Sequence, residues 1–62
     1  EKLYTVEWDQ QIQSETSNLG EALRRIADAI DAEEIVGKWA GVNALDGTGI
    51  CVDVRLPGPA AH

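Results

Sequence analysis

The chain has no methionine or phenylalanine, one cysteine and few basic residues, and these shortages exclude several classes of function. A single cysteine, Cys51, excludes an intrachain disulfide, and with one histidine, His62, it is too few to complete a four-ligand zinc site. No apolar run approaches the ~20 residues that span a bilayer, so no membrane partner is predicted. Five lysines and arginines against eleven acids give a net charge of −6. Nucleic-acid binding needs basic side chains that neutralise phosphates, so it is not predicted either.

The length of the chain, 62 residues, predicts one small domain over 1–62. A chain of this length buries only ~60% of the surface that its unfolded form exposes, so its core is marginal. Both prolines, Pro57 and Pro59, lie near the end of the sequence. Because proline cannot donate to a sheet ladder, we expect the last strand to end near Leu56 and the tail, 57–62, to be flexible.

The first strand is predicted over residues 2–8, where Tyr4, Val6 and Trp8 alternate with polar side chains. Alternation of aromatic and β-branched residues with period two is typical of a half-buried strand. The next segment, 9–17, is polar except for one isoleucine. We interpret it as a loop.

Apolar residues then recur at helical spacing, which predicts one amphipathic helix over residues 18–33. Asn18 is a suitable N-cap, with Glu21 three residues later as in a capping box. Charged residues occupy the opposite side, so we expect a surface helix with one buried face. That face consists of Leu19, Ala22, Leu23, Ile26, Ala27 and Ile30.

Two further strands are predicted at 35–45 and 50–56. The segment between them, 46–49, has the sequence Asp-Gly-Thr-Gly. Its glycines can adopt the positive φ angles of a hairpin turn, so we predict a hairpin with a four-residue loop.

The length of this loop sets which side chains of the hairpin share a face. A four-residue loop places Trp39 on the same face as Val52 and Val54, and this apolar face is predicted to cover the helix. A three-residue loop would set the apolar residues of the last strand against Lys38. A two-residue turn would bring Lys38 opposite Arg55, which like-charge repulsion disfavours.

The element order strand, helix, strand, strand predicts an α+β fold of the split β-α-β type (β-α-β-β). A right-handed crossover leaves room for the last strand between the first two. The prediction is therefore a mixed or antiparallel three-stranded sheet in order 1-3-2, with one helix packed on one face.

The sheet face away from the helix is the predicted interaction surface. It combines small apolar residues with a few charges, and no element of the predicted fold covers it. Because a small chain gains from extra burial, we expect self-association into a dimer or higher homo-oligomer, through this face or an edge strand. The candidate interface residues are Val36, Ala40, Val42, Ala44 and Cys51.

Trp39 is the main candidate for binding a small molecule, because Gly37 and Gly41 leave room beside its ring. It could serve as a stacking platform for a planar ligand or pack against the helix, and packing is the favoured interpretation. Trp8 and Tyr4 are weaker candidates of the same kind. No catalytic residue, metal site or cofactor is predicted, since no base lies near the Cys51 thiol in sequence and no two carboxylates are placed in one cleft.

The sequence Tyr4-Thr5-Val6-Glu7, Trp39 in the second predicted strand and the element order resemble the dodecin family, whose members are small flavin-binding oligomers. The resemblance covers most of the chain. It implies an oligomer that binds a flavin-like planar ligand at Trp39. The hairpin loop is shorter here, and the glutamine that partners the family's tryptophan has no counterpart in the last strand.

These features predict a small acidic, non-enzymatic interaction protein that binds a protein partner, itself or both. One alternative is the dodecin-like ligand-binding oligomer. Another is an acidic inhibitor whose carboxylates imitate a nucleic-acid backbone. The free cysteine favours a cytoplasmic location.

Overall fold

The structure, a computed structural model, describes residues 2–57, so most of the predicted tail lies outside the described residues. The elements along the chain are β1 (Tyr4–Trp8), β2 (Gln11–Thr16), α1 (Leu19–Asp31), β3 (Trp39–Ala44) and β4 (Gly49–Arg55). The helix packs on one face of a four-stranded antiparallel sheet, with strand order β2-β1-β3-β4.

The predicted three-stranded sheet in order 1-3-2 is wrong. The polar segment predicted as a loop contains the strand β2, which pairs with β1 as a hairpin. With β2 on one side of β1, β3 takes the other side, and β4 becomes an edge strand rather than the central one. The polarity of β2 misled the prediction, because an edge strand can expose both of its faces.

A two-residue turn makes the β1–β2 hairpin possible. Trp8 pairs with Gln11, and the two residues between them, Asp9 and Gln10, have φ angles of 53° and 64°. Two consecutive residues with positive φ define the type I′ turn, whose twist matches that of paired strands. Because this turn usually contains glycine or asparagine, the Asp-Gln sequence did not signal it.

The helix begins as predicted. The Asn18 side chain accepts a hydrogen bond from the Glu21 N–H, with a distance of 2.9 Å between Oδ1 and N. The Asn18 N–H donates to Thr16 Oγ1 at 3.2 Å, so β2 contributes to the cap. Asn18 therefore joins the end of β2 directly to the helix.

The helix ends at Asp31, two residues before the predicted end. Glu33 has a φ angle of 57°, and its N–H donates to the Ile30 carbonyl while the Glu34 N–H donates to the Ala29 carbonyl. These two bonds form a Schellman motif, which ends a helix with one left-handed residue.

The buried core lies between α1 and the central strands β1 and β3. It consists of small and medium side chains and one indole: Val6, Trp8, Ala22, Ile26, Ala29, Ala40 and Val42. On the predicted helix stripe, Leu23 and Ile30 are each 39% exposed and Ala27 is exposed, so the helix contacts the sheet through a narrower face than expected. At 13 residues, α1 is too short to cross a membrane, and the described residues contain no other helix.

The predicted register of the β3–β4 hairpin is also wrong, although its loop has four residues as expected. The loop comprises residues 45–48, and Cys51 forms a bulge, since Asn43 pairs with Ile50 while Val42 pairs with Val52. The bulge inverts which side chains share a face. Ala40 and Val42 therefore face the helix, and Trp39 faces away from it.

Candidate functional site

The predicted interface residues do not form one surface. Ala40, Val42 and Ala44 are buried on the helix side of β3. Val36, by contrast, is 91% exposed in the segment before β3, and Cys51 is exposed at the bulge in β4. The inverted register explains the difference, because it turns the small apolar side of β3 inward.

The three aromatic candidates also lie on different sides of the sheet. Trp8 is buried on the helix side, with the Arg25 guanidinium carbon 5.0 Å from the centre of its ring. Tyr4 packs partly buried against the same core. Trp39 lies on the opposite face, so the structure does not bring the three rings together in one ligand site.

Trp39 is held by two neighbours on its own face of the sheet. Its indole N–H donates to the Asp53 carboxylate on β4. Its ring lies so close to Gly41 that a Cβ atom at that position would collide with it. The glycine thus allows the indole to lie on the sheet, which gives Trp39 a structural role in joining β3 to β4.

A shallow cleft opens beside Trp39, between the β1–β2 turn and the segment before β3. The Asp9 carboxylate accepts hydrogen bonds from the N–H groups of Val36 and Gly37, at 2.9 and 2.6 Å. Lys38 and Gln10 complete its lining. Because these contacts use the carboxylate to fix the loop, they explain Asp9 without a ligand.

The described residues contain no cluster of three or more histidine, cysteine or acidic side chains that could hold a metal ion. The carboxylate with the most displaced titration is Asp46, in the β3–β4 loop. Hydrogen bonds from the Thr48 hydroxyl and N–H, together with the smaller effect of the nearby Lys2 ammonium, lower the pKa of Asp46 to about 2. These contacts stabilise an exposed turn, so the shifted pKa has a structural cause.

The outer edge of β4, by which we mean the side of this strand that faces away from β3, is the main unpartnered feature of the described fold. Among residues 2–57, no strand pairs with this edge. The helix packs on β1, β2 and β3, but no Cα atom of α1 lies within 8 Å of one in β4. Such an edge offers unpaired backbone groups to another extended chain.

The hydrogen bonds between β3 and β4 show which backbone groups point outward. The Leu56 N–H donates to the Lys38 carbonyl at 2.7 Å, so the backbone of Leu56 faces β3. Inward and outward backbone groups alternate along an antiparallel strand. The N–H and C=O groups of Asp53 and Arg55 therefore point outward, away from the sheet.

The side chains of β4 differ between its two faces. On the helix side, Val52 and Val54 pack against the core but are only partly buried, because the helix does not reach them. On the other face, Asp53 and Arg55 form an exposed ion pair, with 3.5 Å between Oδ1 and Nε. The edge thus offers an apolar strip on one face and charges of both signs on the other.

Comparison of the chain with protein-family models, curated proteins and solved structures gives no match. The sequence prediction considered an edge strand as an interface, but it placed residues 50–56 in the centre of the sheet. Recognising β2 in the sequence would have put them at the edge.

Proposed function

We propose that this protein is a non-enzymatic interaction module that binds an extended segment of a protein partner along the outer edge of β4. The observation that carries the proposal is a seven-residue strand that, within residues 2–57, pairs with another strand on one side only and is not covered by the helix. In strand addition, main-chain hydrogen bonds supply affinity and alternate side chains supply specificity. β4 offers outward-pointing backbone groups for the hydrogen bonds and side chains that alternate between its two faces.

The two faces of β4 define the partner segment. Val52 and Val54 would pack against apolar side chains on one face of the added strand. Asp53 and Arg55 would meet polar or charged side chains on its other face. A suitable segment therefore alternates apolar with charged residues and lacks proline at the positions that must donate.

The alternative functions have less support from the structure. The element order on which the dodecin-like alternative depended is wrong, because β2 lies between β1 and the helix, so planar-ligand binding at Trp39 stays a prediction without its topological argument. The acidic mimic stays a prediction too. On the exposed side of α1, Arg24 lies between Glu21 and Asp28 in sequence, so the surface is not a continuous row of carboxylates.

The proposal is tested by adding short synthetic peptides to the ¹⁵N-labelled protein and recording amide chemical shifts. One peptide alternates valine with lysine, another alternates valine with glutamate, and a control peptide of similar composition has proline at alternate positions. We expect at least one alternating peptide, at millimolar concentration, to shift the amides of Asp53 and Arg55 and to slow their hydrogen exchange. The proline peptide should have no effect.

A matched pair of variants locates the binding to the backbone of β4. Arg55→Pro removes an N–H that points outward, so it costs no bond to β3. Arg55→Thr removes the same charge but keeps the N–H. Peptide binding should be lost in Arg55→Pro and kept in Arg55→Thr. Shifts centred on α1 or β2, or no binding by either alternating peptide at a protein concentration where the chain is monomeric, would overturn the proposal.

A further inference from the structure

We infer that the segment bound by β4 is β4 of a second copy, paired antiparallel about a two-fold axis at Val54. This inference rests on the proposed function, since it names the partner at the same edge. The pairing would join two four-stranded sheets into one of eight strands. Two-fold symmetry places both helices on the same face of the joined sheet.

The backbone of β4 restricts the possible registers to a few. Only residues whose N–H and C=O groups point outward can exchange hydrogen bonds with the second copy, and in the regular part of the strand these are Asp53 and Arg55. The bulge at Cys51 interrupts the strand before this part. The regular segment, Val52 to Leu56, has Val54 at its centre.

Charge selects among these registers. A pairing centred on Asp53 would place two carboxylates opposite each other, and one centred on Arg55 would oppose two guanidinium groups. The pairing centred on Val54 instead places Asp53 of each copy opposite Arg55 of the other. Opposite charges in directly facing positions stabilise a strand pair, and like charges destabilise it.

Asp53 and Arg55 are exposed enough to form ion pairs with the second copy. Side-chain exposure is 49% for Asp53 and 80% for Arg55. Within the chain, both the Trp39 indole and Arg55 contact the same Asp53 oxygen, Oδ1. The second oxygen, Oδ2, can therefore accept from the guanidinium of the second copy without loss of the bond to Trp39.

The same register also matches the apolar side chains on the helix face. Val54 faces Val54 of the second copy, and Val52 faces Leu56, all of which are only partly buried in the single chain. Pairing would bury them against one another between the two helices. Burial of this strip supplies the hydrophobic contribution that α1 does not give to β4.

A charge-swap series tests the inference by measuring mass in solution, with analytical ultracentrifugation over a range of concentrations. The unmodified chain is expected to dimerise. Arg55→Asp brings like charges together at both symmetric positions, so it should weaken the dimer by roughly tenfold or more. The double variant Asp53→Arg/Arg55→Asp restores opposite charges and should recover much of the affinity.

Arg24→Asp is the matched control. It makes the same charge change at an exposed position on α1, far from the β4 edge in the fold. Dimerisation should be little changed in this variant. Circular dichroism checks that each variant is folded, since Asp53→Arg also removes the acceptor of the Trp39 indole.

Disulfide trapping tests the register independently of charge. In a Cys51→Ser background, Val54→Cys should form a dimer-linking disulfide, because symmetric non-hydrogen-bonded positions have Cα atoms about 4.5 Å apart. Val52→Cys should not. Cys51 of the unmodified chain should not crosslink either, since the register keeps the two thiol positions about 20 Å apart along the strands.

The outcomes separate this inference from the proposed function. A chain that stays monomeric, a dimer indifferent to Arg55→Asp, or a disulfide through Val52→Cys rather than Val54→Cys would each overturn the inference. Binding of the alternating peptides to β4 would still support strand addition in any of these cases. A dimer trapped through Val54→Cys and restored by the double charge swap supports both.

Discussion

The two edges of the sheet differ in how they are protected. Strand β2 has a polar sequence, is packed by α1 and carries a bulge at Gln13, whose side-chain amide donates to the Trp8 carbonyl at 3.2 Å. Strand β4 has isoleucine and valines, and the helix does not reach it. Natural sheets usually block edges with polar residues, bulges or covering elements. Both edge strands carry a bulge here, so the two edges differ in the helix cover and in the more polar sequence of β2. The comparison shows that β2 is the better protected edge, and this difference supports the proposal that β4 pairs with another strand.

The two edges differ because α1 packs over β1, β2 and β3 and not over β4. The largest loss of stability that we expect from a single substitution tests how the helix packs. Ile26 is 3% exposed over the central strands, whereas Leu23 is 39% exposed on the same helix. Ile26→Ala should lower the free energy of unfolding by about 2–4 kcal/mol, because it leaves a cavity in a small core. Leu23→Ala should cost about 1 kcal/mol or less. Urea denaturation measures both.

Such a loss could unfold so small a domain, so Ile26→Val provides a milder variant with an expected cost of about 1 kcal/mol. Equal losses for the alanine variants at positions 23 and 26 would mean that Leu23 is packed as well as Ile26. That result would contradict the narrow contact face of the helix.

The contact between Trp39 and Asp53 is a side-chain hydrogen bond that links β4 to β3. Asp53→Ala should cost about 1 kcal/mol or less, since it removes the hydrogen-bond acceptor of the Trp39 indole N–H at an exposed position. A double-mutant cycle with Trp39→Phe measures the coupling between the two side chains. Denaturation at a concentration where the chain is monomeric avoids effects of dimerisation, and zero coupling would mean that the bond does not hold β4.

In the turn between β1 and β2, we expect a substitution to stabilise the fold rather than destabilise it. Gln10 has a φ angle of 64°, which is unfavourable for a residue with a Cβ atom. Gln10→Gly should therefore raise the free energy of unfolding by up to about 1 kcal/mol, offset in part by the flexibility of glycine when unfolded. Gln10→Ala is the control and should give no comparable gain. Equal effects of glycine and alanine would contradict the type I′ turn.

The smallest expected effect concerns the loop before β4 and depends on pH. Because the fold lowers the pKa of Asp46 from 3.8 to about 2, ionised Asp46 favours the folded state above pH 4, and this contribution is lost as the pH falls from about 4 to 2. Carboxyl ¹³C shifts give the titration midpoint. Thr48→Ala should raise the pKa of Asp46, since Thr48 supplies the main hydrogen bonds. An Asp46 midpoint near 3.8 in the unmodified chain would contradict this account.

The sequence predicted the elements whose signals are local. The helix followed from apolar spacing, its start from Asn18, and the hairpin turn between the last two strands from its glycines, although its loop lies one residue earlier than predicted. Strand β2 was missed because its residues are polar and its turn lacks glycine. The side of the sheet occupied by Trp39 was missed because the bulge at Cys51 shifts the pairing by one residue, and no residue type signals such a bulge.

The candidate site was predicted only in outline. An edge strand was among the expected interfaces, but the residues named for it were mostly those of β3, which the fold buries. Asp53 and Arg55 acquire their importance from the position of β4 in the sheet. That position depends on where β2 pairs, at the opposite edge of the same sheet.

By itself, the sequence determined the amphipathic helix with its cap, the apolar strands and the acidic charge, because each depends on neighbouring residues and their periodicity. Only the tertiary structure decided the strand order, the face on which Trp39 lies and which edge is left open. These depend on pairing between distant segments. The additional strand β2 changes the position of the later strands in the sheet. The bulged residue Cys51 changes the face on which the paired side chains lie.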